Sequence, residues 1–107
     1  MTQNYTMFDD LKKTIETIPT ESIVSRTIYK DDGLKSIVFA FAPGQELSEH
    51  TASVPAMLQV LEGECTVTLG PDSFEAKAGF WAHMTPNVKH SLLAKTPVLM
   101  LLIMMGK

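Results

Sequence analysis

The chain has one cysteine, Cys65, in 107 residues. No disulfide can close within it, which excludes a disulfide-stapled secreted domain and favours a reducing, cytoplasmic location. It also lacks a basic cluster. Nine Lys and Arg against twelve Asp and Glu leave a net charge of −3, so no nucleic-acid partner is expected. Its longest apolar run, Val98 to Met105, is far short of the roughly 20 residues that span a bilayer as a helix, so no membrane partner is expected. The opening Met-Thr-Gln-Asn-Tyr lacks the basic-then-apolar pattern of a secretory leader. Internal repeats, linkers and low-complexity tracts are absent too. What remains is 45% hydrophobic and 20% charged, the balance of one globular domain, expected over residues 1–107.

Residues 6–18 carry the only clear helical period. Phe8, Leu11, Ile15 and Ile18 recur at three- and four-residue steps, with Asp9, Asp10, Lys12, Lys13 and Glu16 on the other face. One short N-terminal helix is therefore expected, with Thr6 as its N-cap and Pro19 ending it. Beyond Pro19 the pattern changes to short strands and turns. Strands are expected at 23–29, 34–42, 57–61, 65–69, 73–77, 80–84, 90–94 and 98–105. Asp32-Gly33, Pro43-Gly44, Glu62-Gly63-Glu64 and Gly70-Pro71-Asp72 supply the turns. Such spacing predicts a mainly β sandwich or barrel over about 22–105. A closed barrel would leave no exposed strand edge.

Two segments carry the residues with chemistry. In the first, Gly44 is followed by five residues and then His50, and Gly63 closes the segment within Val-Leu-Glu-Gly-Glu. In the second, Gly79 opens a stretch that passes through Pro86 and ends on His90. In order and spacing these segments resemble the paired motifs of the cupin superfamily. That resemblance implies a cupin-type, jelly-roll-like antiparallel β-barrel. It also implies a barrel pocket in which three histidines and one glutamate hold a divalent transition metal. Of those four positions this chain keeps His50 and His90. Ala52 stands at the second histidine position and Ala56 at the glutamate position.

The resemblance thus implies a pocket marked by His50 and His90 and lined by Ala52, Ala56, Leu58 and Val60. Imidazoles suit Fe, Mn, Ni, Cu or Zn, although three or four protein ligands are usual where a metal is held firmly. Two readings follow. In one, a metal-dependent enzyme of dioxygenase, isomerase or lyase type acts on a small organic molecule. In the other, a metal-poor barrel binds a small ligand or senses it, with His50 or His90 as an acid–base or hydrogen-bonding group if no metal is bound.

The remaining residues of note are assigned as follows. Strand alternation points Glu49 away from His50 and Gln59 away from Ala56. His83, beside Trp81, is expected to pack or to meet a partner rather than to ligate. Cys65 falls in the apolar set of its strand and is expected to be inert packing. Strands apolar on both faces, with Met100, Met104 and Met105 in the last one, need a second surface, which predicts a homodimer.

Overall fold

The computed structural model describes residues 4–106. Met1, Thr2 and Gln3, read above for a leader pattern, and Lys107 lie outside the described residues. The described residues form nine antiparallel strands: β1 (Ile23–Lys30), β2 (Leu34–Phe41), β3 (Glu46–His50), β4 (Ala56–Glu62), β5 (Glu64–Leu69), β6 (Asp72–Lys77), β7 (Trp81–Met84), β8 (His90–Ala94) and β9 (Val98–Met105). They form two facing sheets, one ordered β1-β2-β9-β4-β7 and the other β3-β8-β5-β6. The barrel does not close, so edge strands remain. They are blunted instead: β1 is bulged between Thr27 and Tyr29, β3 is short and charged, β6 carries Asp72, Glu75 and Lys77, and β7 has four residues. Among the described residues no helix is long and apolar enough to cross a membrane.

The strands form where apolar residues alternate. Ala56, Leu58 and Val60 on β4 and His90, Leu92 and Ala94 on β8 are buried, while the residues between them are less so. The inward sets meet in one core of Phe41, Leu58, Val60, Val67, Leu92, Val98 and Met100 with their smaller neighbours. Cys65 belongs to this core at 1% exposure. Burial pushes its thiol up to about 11, with the Glu75 carboxylate adding to the rise and Lys95 opposing it. The thiol is therefore protonated near neutrality and serves as packing.

Gly63 sits in the β4–β5 turn at φ +94°. A Cβ there would stand 2.1 Å from the Pro97 carbonyl oxygen and 2.9 Å from Val98 Cα. The turn thus lets two backbones touch, which only glycine permits. In the β1–β2 turn, Asp31 does the organising. Its Oδ1 accepts from the Gly33 and Leu34 backbone N–H groups, and Tyr29 Oη donates to its Oδ2.

The N-terminal segment differs from expectation. The helix expected over 6–18 contracts to one 3-10 turn, Leu11–Lys13, capped by Asp10 rather than Thr6. Thr14, Ile15, Thr17 and Ile18 are β-branched and lose rotamer freedom in a helix. Thr14 Oγ1 instead bonds back to the Leu11 carbonyl at 2.7 Å and ends the turn. The apolar period still has a use, because Leu11, Ile15 and Ile18 are half-buried. Arg26 Nη1 donates to the Thr14 carbonyl at 3.0 Å and ties the segment to β1.

Candidate functional site

One end of the sandwich collects the chemistry. β3 runs toward that end and finishes on His50, and β8 begins there with His90. The two residues are direct partners across the β3–β8 ladder. Their ring centroids lie 4.0 Å apart with planes tilted by 60°. Regular alternation would not achieve this. Leu47 pairs with Leu92 and His50 pairs with His90, and the register shifts between them. The extra residue is a β-bulge, which turns His50 back onto the face that Leu47 occupies. Glu49 falls in that bulge and is exposed.

Each imidazole is oriented by its own strand. His50 Nδ1 lies 2.8 Å from the Ser48 carbonyl oxygen, and His90 Nδ1 lies 2.9 Å from that of Val88. A carbonyl only accepts, so Nδ1 is the donor in both rings, and Nε2 is the nitrogen each ring presents to the site. Neither Nε2 has a hydrogen-bond partner among the described residues. No fully buried side-chain nitrogen or oxygen is unpartnered among these residues, so His90 Nε2 retains access to solvent although the residue is only 4% exposed. Burial holds the His90 pKa below the ordinary imidazole value. The Val88 carbonyl opposes that shift and the neighbouring His50 adds to it. His90 is therefore a neutral base near pH 7.

The other residues of interest divide between the site and its surroundings. Ala52 is half-buried in the loop after β3, and its carbonyl accepts from Asn87 N at 2.8 Å. That bond joins the loop leaving His50 to the loop entering His90. Because β3 ends at His50, strand alternation does not extend to Ala52. Ala56 opens β4 at the same end, 2% exposed and paired with Met84 and Met104. Leu58 and Val60 lie progressively deeper in the core, Val60 about 13 Å along the strand from Ala56. Gln59 faces outward between Leu101 and Trp81. His83 is exposed on that outer face, opposite Met57. A separate cleft of about 650 Å³ lies between the N-terminal segment and the outer face of β1 and β2, lined by Tyr5, Phe8, Tyr29 and Ser36 among others. No histidine lines it.

The donor set does not fit a firmly held metal. Among the described residues no group of three His, Cys, Asp or Glu side chains is placed to hold an ion. Two imidazoles alone fall short of the three or four protein donors that such sites use.

A sequence model of the cupin domain matches residues 37–104. No curated protein matches the chain by sequence. Among solved structures, the chain is similar to a cupin superfamily protein from Desulfitobacterium hafniense. Identity is 20% and the TM-score 0.84, over 100% of this chain and 95% of that one. It is also similar to a cupin 2 conserved barrel domain protein from Leptotrichia buccalis, at 28% identity and a TM-score of 0.82, over 90% of this chain and 46% of that one. DMSP lyase DddQ from Ruegeria pomeroyi shares the fold at 15% identity and a TM-score of 0.73, over 79% of this chain and 47% of that one. Likeness at such low identity carries the architecture and not the activity.

Proposed function

The chain belongs to the cupin family, and on that premise we propose that it is a metal-poor cupin domain binding a small organic molecule between its sheets at the His50/His90 end. The observation that carries this reading is the pair itself. Two imidazoles stand 4.0 Å apart with tilted planes, each with Nδ1 tied to a carbonyl, and among the described residues no third donor joins them. In that state Nε2 of each ring accepts a hydrogen bond from a ligand hydroxyl or amide. His90, held neutral chiefly by burial, can take a proton from such a group. Ala52 and Ala56 line the space where bulkier side chains would stand, and Leu58 forms its floor, while Val60 belongs to the packed Gly63 end.

A metal-dependent enzyme of dioxygenase, isomerase or lyase type is the second reading. One observation favours it: a metal-ligating histidine also bonds one ring nitrogen to a carbonyl and presents the other. Metal analysis of protein purified without a histidine tag separates the two. Background Fe, Mn, Ni, Cu and Zn, with thermal stability unchanged by a chelator, is the result expected. Near-stoichiometric metal that disappears in His50→Ala or His90→Ala would overturn the metal-poor reading.

The outer face of β4, β7 and β9 supports a homodimer. Met57, Leu61, Leu101 and Ile103 are only half-buried there, and Trp81 is 56% exposed. A contiguous apolar face of this kind calls for a second surface.

A further inference from the structure

The inner face of the sheet that looks onto the histidines carries a feature that packing does not explain. On β2, Phe39 and Phe41 face the core, so Ile37 and Lys35 share that inward face. Pairing agrees: Lys35 is opposite Met104, which packs against the core. Met104 is in turn opposite Ala56, and Ala56 opposite Met84. Lys35 therefore heads an inward row whose other members are small or apolar, and it is half-buried. Its partner on β1 is Lys30, so two ammonium side chains start from directly opposed positions on one face. Like charges so placed destabilise a sheet pair.

Among the described residues neither lysine has a relieving partner. Among the described residues the ion pair is Lys95 with Glu75, on the outer face of the other sheet. Asp31 is held by its own turn, and Asp32 makes no ion pair with a described residue. The inward row of the second sheet at this end runs His50, His90, Leu69, Asp72. Asp72, on the edge strand β6, stands three strand spacings from His50, about 14 Å. The lysines lie on the histidine side. β2 turns directly into β3 through residues 42–45, while β4 approaches β6. Lys35 near the start of β2 and His50 at the end of β3 thus lie at the same end of consecutive strands.

We infer that the site takes a small organic anion, its charged group held by Lys30 and Lys35 and its apolar body lying against Met104, Ala56 and the two imidazoles. This rests on the reading of the His50/His90 end as the ligand site and adds the ligand's charge class. An anion between the ammonium groups converts their repulsion into two charge-assisted hydrogen bonds. The methionines suit a body of adaptable shape.

Three probes of one shape test it: benzoate, phenyl phosphate and neutral benzamide, each titrated into the full chain. Binding is read from side-chain NMR signals of the lysines and histidines. Benzoate or phenyl phosphate is expected to move the Lys30, Lys35, His50 and His90 signals together, the stronger of the two identifying a carboxylate or a phosphate group. Benzamide is expected to bind about tenfold to a hundredfold more weakly, the worth of a charge-assisted hydrogen bond. Lys35→Met keeps the aliphatic stem and is expected to weaken anion binding by a similar factor, with benzamide unchanged and Lys35→Arg restoring it. Equal binding of all three probes at the histidines, indifferent to Lys35→Met, would overturn the charge class and leave the pocket standing. No histidine response to any probe would overturn both.

Discussion

The two ends of the sandwich are built on the same strands and filled in opposite ways. At the Gly63 end, Val60, Cys65, Ala94, Val98 and Phe41 are at most 1% exposed, and two backbones touch at Gly63. At the other end, Ala56, Met84 and His90 are buried, but His50, Leu69, Met104 and Lys35, which face inward beside them, are only half-buried. Side chains of one type of face thus close one end and leave the other partly filled. Tight packing at one end stabilises the sheets, which lets the other hold polar groups that add little to stability.

The contrast breaks most severely at Gly63. Gly63→Ala combines a left-handed backbone with a 2.1 Å overlap on a carbonyl oxygen, and is expected to cost about 3 kcal/mol or more. Urea unfolding measures it, and a cost below about 1 kcal/mol would show that the turn yields. Next come two leucines of the same sheet. Leu92→Ala, in the 1% exposed centre, is expected to cost about 3 kcal/mol, and Leu69→Ala, in the half-filled end, about half of that. Equal losses would remove the distinction between the ends.

The outer face provides a third test. If a second copy covers it, Trp81→Ser is expected to weaken association by about 2 kcal/mol, roughly thirtyfold. Light scattering across a dilution series reads this, and a wild-type chain that is monomeric throughout would dispose of the dimer.

The smallest effect concerns pH. His90 is held below the ordinary imidazole value, chiefly by burial, so the unfolded chain, near 6.5, binds the proton more readily than the folded one. Its contribution to stability is full above about 6.5 and lost as the pH falls through that value toward the lower folded one. Melting temperature is expected to drop between pH 7.5 and 5.5, and to drop less in His90→Gln. An identical drop in the variant would assign the effect to other groups.

Much of the fold is legible in the residues. β5, β8 and β9 alternate or run apolar between Gly and Pro turns, and they fall within a residue of where that pattern puts them. β3 is the strand the pattern misses. Glu46, Ser48, Glu49 and His50 hide its period, since only Leu47 marks an inward position and the bulge breaks the two-residue step. The N-terminal period is legible as burial but not as helix, because β-branched residues follow the first turn.

By itself, then, the sequence determined the family frame, the strand and turn order, and His50 and His90 as its marked positions. Each of these depends on local pattern: alternation, turn chemistry and motif spacing. Tertiary structure alone decided that the imidazoles meet at 4.0 Å and that Lys30 opposes Lys35 on the inner face. The physical reason is register. A one-residue bulge reverses which face a strand presents, and a bulge is defined only by the partner strand that it slips against.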